Sequence, residues 1–273
     1  MTESKSPAFL RGMLLKFGLL NRKTLFSLMK GTLCQSGVYK HMTRLTDTGD
    51  IVHLHRYYQV SSKLIAHAVG RNNSLPIYLN HRTSELKHRD LCVETFVHLC
   101  RRSFISGFTM EYELEALKLQ TPIIGRKPDG LVQVTRPDIG KFEIAIEVER
   151  SVKGPKRVSE VLDNYRTSFD KHSSLPLGLI VQAVHPVAFE EYKRDLEQRP
   201  KTFRERVFLS SQPDLSDVPE SKLGKTLLHP LENPFQVWST YRKNSTGIDL
   251  YAPYFDLQYR YRDSGQPNQE RFK

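Results

Sequence analysis

The chain has 273 residues, enough for one large domain or two ordinary ones, and a formal net charge of +11. Apolar residues make up 38% of it, so a buried core can form, and the absence of any run of 18 apolar residues argues against a membrane span. Residues 1–83 carry 12 Lys/Arg against 3 Asp/Glu, whereas the other 190 residues carry 29 against 27. This asymmetry indicates a polyanion-binding module joined to a nearly neutral domain, although a merely soluble basic surface stays open.

The cysteines bear on the cellular compartment. Cys34, Cys92 and Cys100 fall in predicted helices and form no CxxC pair. This pattern argues against a disulfide framework and against a zinc site, and it favours a reducing compartment. We therefore expect a cytoplasmic protein without membrane partners.

Residues 1–65 predict a small helical domain that ends in a β-hairpin. Two helices are expected over residues 8–18 and 22–31, and a third begins at Ser36 as its N-cap. Val38, Met42 and Leu45 recur at helical spacing, so they form the apolar face of the third helix. Two short strands follow over 51–54 and 57–60, joined by a tight turn.

This order, with the phrase SGVYKHMTRLTDTGDIV, resembles the winged helix-turn-helix family. A helix of this kind fits the major groove of double-stranded DNA, and a basic hairpin can follow the backbone. The resemblance implies DNA contacts from the third helix and from the hairpin wing. The residues concerned are Gln35, Ser36, Tyr39, Lys40, Arg44, His55 and Arg56. A winged helix that serves only protein contacts is the alternative.

Residues 66–83 are rich in Gly, Asn, Ser and Pro and are expected to form a linker. Over residues 84–210 the pattern predicts a helix, three strands, a helix and a strand, followed by a further helix and strand. One of the strands is expected to alternate through GFTMEYELEALKL. The fold class is therefore α/β (α+β).

Two of these strands bring acidic residues together. In KPDGLVQVTRPDIGKFEIAIEVER, a hairpin centred near Asp138 places Asp129 opposite Glu147, and Glu149 shares the strand face of Glu147. Like charges this close repel one another unless a cation lies between them, and Mg²⁺ favours carboxylate oxygens. Ordinary surface glutamates, with Arg150 paired to Glu149, are the alternative reading.

The strand order and the motif resemble the PD-(D/E)xK nuclease superfamily, with its αβββαβ core. The resemblance implies catalytic roles for Asp129, Glu147 and Glu149 and a Mg²⁺ or Mn²⁺ ion held by Glu94, Asp129 and Glu147. Glu149 stands where that family has lysine, and Arg150 or Lys153 would then neutralise charge. Further DNA contacts are expected from Arg150, Lys153, Lys156 and Arg157.

The combined layout resembles the replication-relaxation family of plasmids, integrative elements and phages. It implies a DNA-binding protein of a mobile element that nicks or cleaves double-stranded DNA. The alternative is a non-catalytic regulator or accessory factor for replication or relaxase proteins, and the oligomeric state stays open. Residues 211–273 form a C-terminal extension, where the alternating run Tyr259–Arg262 favours nucleic-acid stacking or a partner contact equally.

Overall fold

A computed structural model describes residues 6–29, 33–69, 83–99, 101–116, 123–171 and 177–225. These residues form two compact units that divide near residue 80, and each is described by itself. The central part of the expected linker and the Tyr259–Arg262 run lie outside the described residues. Among the residues the model describes, no helix combines the length and the apolar character needed to cross a bilayer.

The first unit consists of short helices around a small antiparallel sheet. Its elements are α1 (Ser6–Phe17), β1 (Leu19–Asn21), α2 (Arg22–Met29), α3 (Gln35–Asp47), β2 (Ile51–Leu54), β3 (Tyr57–Val60) and α4 (Ser62–Val69). The strands lie in the order β1-β3-β2. Both predicted helices, the third helix and the hairpin are therefore confirmed as elements, whereas the sequence analysis did not identify β1.

Two local expectations in this unit were wrong. The N-cap of α3 is Cys34 rather than Ser36, and the backbone of Cys34 accepts the first helical bond from Val38 N at 3.0 Å. The expected linker starts too early, because α4 extends to Val69. Ser61 caps that helix through its hydroxyl, which accepts a hydrogen bond from Leu64 N at 3.2 Å.

The second unit is a five-stranded mixed sheet with helices, so the α/β (α+β) class is confirmed. Its elements are α5 (Thr83–Leu99), β4 (Ile105–Met110), α6 (Glu111–Ala116), β5 (Gly130–Arg136), β6 (Gly140–Glu149), α7 (Pro155–Lys171), β7 (Leu177–Ala183), α8 (Pro186–Glu197), α9 (Lys201–Arg204), β8 (Val207–Ser210) and α10 (Glu220–Leu223). The strand order is β4-β5-β6-β7-β8. β4, β5 and β6 are antiparallel, whereas β7 and β8 continue the sheet in parallel with β6.

The expected strand through GFTMEYELEALKL is only half right, because the chain changes from β4 to α6 after Met110. Met110 pairs with Gly130, which is the first residue of β5. No residue of β5 is therefore left to pair with the chain beyond Met110. Glu113 then stabilises the first turn of α6, since its carboxylate accepts a hydrogen bond from Met110 N at 2.9 Å. Local capping therefore prevails over the alternating pattern.

The β5–β6 hairpin has the predicted register. Arg136 pairs with Gly140, which centres the turn on Asp138, and Gly130 pairs with Ile146. Asp129 therefore lies opposite Glu147, and its backbone N–H donates to Ile146 O at 3.0 Å. One side of the sheet packs on α7 and α8 through buried residues such as Ala145, Val181 and Tyr165, which form the main core of the unit.

Candidate nucleic-acid surface and carboxylate site

Helix α3 has one buried face and one exposed polar face. Val38, Met42 and Leu45 are buried, as the periodicity predicted. Lys40 and Arg44 lie on the opposite side of the helix, and every residue expected there to contact DNA is exposed: Gln35, Ser36, Tyr39, Lys40 and Arg44. The exposed face therefore combines two cationic groups with hydrogen-bonding side chains on one helix.

Neighbouring aromatic and cationic side chains hold Tyr39 in position on α3. Its ring meets Phe26 of α2 edge-on at 5.3 Å between centroids, and the guanidinium of Arg22 lies 4.9 Å from the ring centre. Tyr39 nevertheless keeps 38% of its surface exposed. A large amphipathic side chain is thus fixed at the surface beside Lys40 at little cost in conformational entropy.

The β2–β3 hairpin presents its turn residues to solvent. His55 and Arg56 are exposed, and His55 adopts the left-handed conformation with φ 54°, which closes the tight turn. The guanidinium of Arg56 donates to the Tyr57 hydroxyl at 3.0 and 3.1 Å, and the His53 ring stacks on Tyr58 at 4.9 Å. The turn therefore carries an anchored cation at its tip.

In the second unit, the three expected catalytic carboxylates come to one end of the β5–β6 pair. Asp129 immediately precedes β5, and one of its oxygens accepts a hydrogen bond from Val148 N at 2.7 Å. Glu147 and Glu149 stand on the same face of β6, with 1% and 2% of their surfaces exposed. They are therefore buried rather than the solvent-facing glutamates of an ordinary strand surface.

Glu147 is held by a half-buried cation, Arg126, from the same chain. Arg126 donates to both of its carboxylate oxygens, with Nε–Oε1 at 2.7 Å and the second contact at 2.5 Å, and the Tyr165 hydroxyl donates to Oε1. Burial raises the pKa of Glu147 to about 7, while the hydrogen bond from Arg126 opposes that rise. The negative charge of nearby Asp129 also raises the pKa of Glu147.

Glu149 has its own protein partners. Lys153 forms an ion pair with Oε1, and the Tyr192 hydroxyl donates to the same oxygen at 2.7 Å. Burial, followed by the charge of Glu149, raises the pKa of Tyr192, so this phenol stays a hydrogen-bond donor. Of the two cations expected to neutralise charge there, Lys153 does so by pairing with Glu149, whereas Arg150 is exposed.

These contacts decide how well a Mg²⁺ or Mn²⁺ ion fits the expected ligands. Both oxygens of Glu147 are engaged by the Arg126 guanidinium, and a divalent ion would have to displace that guanidinium to reach them. The positive charge that the carboxylates require is supplied by Arg126 and Lys153. Glu147 therefore does not fit a Mg²⁺ ligand in this arrangement.

A different group of side chains in the described residues meets the geometry of a metal site. His88 and Cys92 lie one turn apart on α5, and the ligand atoms of His88, Cys92 and Asp129 lie within 4.8 Å of one another. His88 Nε2 is 3.0 Å from Asp129 Oδ1 and 3.5 Å from Cys92 Sγ. This group could hold a metal ion, and the hydrogen bond to Asp129 raises the pKa of His88.

The remaining predicted residues are dispersed. Glu94 follows His88 by six residues, which rotates it by about 240° around α5, away from the face that meets Asp129. Its role as a metal ligand stays a prediction. Lys156 and Arg157 are exposed in the first turn of α7, as is Arg150 just after β6. Their DNA contacts also stay predictions.

Sequence reasoning missed Arg126, His88, Tyr165 and Tyr192. The i, i+4 spacing of His88 and Cys92 on a predicted helix was the one signal available for the α5 pair. Arg126 lies three residues before Asp129 in a loop, and the tyrosines belong to helical apolar faces. No pattern along the chain assigns these side chains to Glu147 and Glu149.

Comparison of the chain with protein-family models, with curated proteins and with solved structures gave no match. The local geometry of the two units is therefore the basis for a functional proposal.

Proposed function

We propose that the chain binds duplex DNA through its first unit, and that this unit is a winged helix-turn-helix. The observation that carries the proposal is the exposed face of α3, on which Tyr39, Lys40 and Arg44 stand opposite a fully buried apolar face. A helix with cations and hydrogen-bonding groups on one side can enter the major groove and neutralise phosphates.

The topology of the unit supports this interpretation. The order α1-β1-α2-α3-β2-β3, with strand order β1-β3-β2, agrees with what a winged helix requires, and α3 would then be the recognition helix. The β2–β3 turn, with His55 and Arg56 exposed, is then the wing. The excess of positive charge in residues 1–83 favours a nucleic acid over a protein as the partner.

The test is the salt dependence of binding to duplex DNA. In a Lys40→Gln, Arg44→Gln variant, we expect weaker binding and a slope of log K against log salt that is reduced by about 2, one phosphate contact for each charge lost. Lys193→Gln, Arg194→Gln is the matched control, since it removes the same charges from the exposed side of α8 in the second unit. Equal losses in both variants would mean that net charge alone, and not α3, binds DNA.

A second candidate function is metal-dependent DNA cleavage by the second unit. The specific observation in its favour is that Asp129 lies opposite Glu147 at one end of an antiparallel pair. The helix α7 and the parallel strand β7 follow, in the order of a PD-(D/E)xK core. In this reading Asp129, Glu147 and Glu149 would be the catalytic residues, and a Mg²⁺ or Mn²⁺ cofactor would have to displace Arg126 from Glu147.

The protein partners of the carboxylates favour the non-catalytic alternative. Arg126 and Lys153 already compensate Glu147 and Glu149, so this unit is a stable scaffold without a divalent ion between them. In that case the chain is an accessory factor that brings replication or relaxase proteins to mobile-element DNA. The mobile element rests on the resemblance of the sequence to the replication-relaxation family.

A plasmid assay separates cleavage from scaffolding. Supercoiled plasmid is incubated with the full chain and Mg²⁺ or Mn²⁺, beside an Asp129→Asn, Glu147→Gln variant. Asp138→Asn is the control, because Asp138 is a carboxylate of the same hairpin that lies exposed in its turn. Nicking that is lost only in the double variant establishes a nuclease. Binding without nicking in all three proteins establishes the scaffold for that substrate.

A further inference from the structure

Three potential ligands meet where helix α5 passes the start of β5. His88 and Cys92 are separated by one helical turn, and Asp129 reaches them from the residue before β5. The contacts are His88 Nε2 to Asp129 Oδ1 at 3.0 Å and His88 Nε2 to Cys92 Sγ at 3.5 Å. Two segments of the chain thus bring three potential ligand atoms within 4.8 Å of one another, with His88 and Asp129 separated by 41 residues in the sequence.

We propose that His88, Cys92 and Asp129 form a binding site for a transition-metal ion of the Zn²⁺ class. Tetrahedral zinc binds nitrogen and oxygen at about 2.0–2.2 Å and sulfur at about 2.3 Å, so its ligand atoms lie roughly 3.3–3.6 Å from one another. The observed separations of 3.0 and 3.5 Å differ from those values by a few tenths of an ångström. The third pair, Cys92 Sγ and the Asp129 oxygen, lies within 4.8 Å, so these side chains would rotate toward a common centre to complete the geometry.

The donor types select the metal. Thiolate and imidazole ligands favour Zn²⁺ and its neighbours in the transition series, whereas Mg²⁺ favours carboxylate and water oxygens. Cys92 and His88 therefore separate this site from the Mg²⁺ site expected at Glu94, Asp129 and Glu147. The proposal also revises the expectation, drawn from the lack of a CxxC pair, that the chain has no zinc site.

The surroundings of the three ligands are suited to a cation. Val148 N donates to Asp129 Oδ2 at 2.7 Å, which orients the carboxylate so that Oδ1 faces His88. A thiolate, a carboxylate and a divalent ion sum to zero charge, so the site can be buried without an uncompensated charge.

The exposure of the ligands indicates where a fourth ligand would enter. Cys92 is 5% exposed, and the side chains of Asp129 and His88 are 15% and 37% exposed. The site therefore opens on the His88 side. With three protein ligands and one open position, water completes the coordination, as in zinc sites that keep an exchangeable ligand.

The experiment measures metal uptake by the full chain in the absence of DNA. Metal-free protein is dialysed against Zn²⁺, and the bound metal is quantified. In parallel, Co²⁺ is added as a spectroscopic probe, because tetrahedral Co²⁺ bound to a thiolate gives an intense near-ultraviolet charge-transfer band. The variants are Cys92→Ser, His88→Gln and Asp129→Asn. Cys34→Ser is the matched control, since Cys34 is an exposed cysteine of the first unit.

We expect one equivalent of Zn²⁺ per chain, with the thiolate band present in the wild type and in Cys34→Ser. The band should vanish in Cys92→Ser, and the affinity for Zn²⁺ should fall at least about tenfold in His88→Gln and Asp129→Asn. His88→Gln guards against misfolding, because His88 is partly exposed and a circular dichroism spectrum can verify its fold. Absence of stoichiometric uptake by the wild type would overturn the proposal, as would a band that persists in Cys92→Ser or an affinity unchanged in a folded His88→Gln.

This inference depends on neither proposed function, and its failure is distinguishable from theirs. Metal uptake is read without DNA, whereas the plasmid assay reads strand breaks and the salt titration reads binding by α3. The plasmid assay supplies Mg²⁺ or Mn²⁺ to a ligand set that shares Asp129 with this site but adds Glu147, so Cys92→Ser and His88→Gln separate the two proposals. A chain that binds Zn²⁺ without nicking DNA, or the converse, is an unambiguous result for each proposal.

Discussion

The buried ion pair between Arg126 and Glu147 allows the sharpest test of how the second unit is stabilised. Replacing Arg126 with methionine keeps much of the side-chain volume but removes the guanidinium that bonds both oxygens of Glu147. Glu147 is 1% exposed, so water cannot replace the lost donors. The variant must then bury an uncompensated carboxylate or keep that carboxylate protonated.

The pH determines whether Glu147 is charged or protonated in the variant, and therefore how much stability the variant loses. Burial raises the pKa of Glu147 to about 7, and removing Arg126 raises it further because the opposing hydrogen bond is gone. At pH 5 Glu147 is neutral in both folded proteins, and the variant should lose about 1 kcal/mol, the value of a hydrogen bond. At pH 9 the wild type holds an ion pair, and the variant should lose about 3 kcal/mol or more.

Urea unfolding of the full chain, followed by far-ultraviolet circular dichroism at pH 5 and pH 9 with a chelator present, measures both losses. Arg136→Met is the matched control, because Arg136 forms a bidentate ion pair with Asp138 at the exposed turn of the β5–β6 hairpin. That control should show a smaller loss with no trend between the two pH values, since the Asp138 side chain is 55% exposed to solvent. A loss for Arg126→Met that is equal at both pH values, or larger at pH 5, would refute the reasoning.

Two further predictions concern the same end of the sheet. A carboxyl group whose pKa is higher in the folded than in the unfolded chain lowers stability as pH rises between those values, here from 4.5 to about 7 for Glu147. Glu147→Gln removes this pH dependence. Its free energy of unfolding, measured by urea titration at several pH values, should therefore increase relative to that of the wild type by about 3 kcal/mol over that interval. A stability difference that stays constant with pH would contradict this prediction. Gly130→Ala should cost about 1–3 kcal/mol by overpacking, because its Cβ would lie 2.1 Å from the Phe96 ring. Gly178→Ala is the control, because a Cβ there would lie 3.4 Å from its nearest neighbour, Ile144. Thermal unfolding of both variants should show a smaller loss of stability for Gly178→Ala, and equal melting temperatures would count against the steric argument.

Gly130 is needed at its position for a reason that the sequence does not show. The PDG sequence is typical of a turn, but Gly130 is the first paired residue of β5, between Met110 and Ile146. Glycine is required there because the Phe96 ring of α5 and the carbonyl of Thr109 approach too closely for a side chain. That requirement comes from a residue 34 positions earlier in the chain.

The sequence by itself determined the features that depend on short-range periodicity. The apolar face of α3, the two-residue turn at His55 and Arg56, and the placement of Asp129 opposite Glu147 all follow from repeats of 3.6 or 2 residues with a turn signal. The same reasoning failed at Glu113, where a cap and the end of the partner strand, rather than the alternation of side chains, decided between strand and helix.

The tertiary structure alone decided what surrounds the carboxylates. Arg126 reaches Glu147 from a loop 21 residues away, and Tyr192 reaches Glu149 from α8, 43 residues away. His88 meets Asp129 only because α5 packs across the sheet near the start of β5. Such contacts arise when the sheet and its helices bury their apolar faces together, and the resulting burial raises the pKa of Glu147 and determines which cation each carboxylate accepts. The pattern along the chain places the acids on their strands, and the packing of distant elements gives those acids their chemistry.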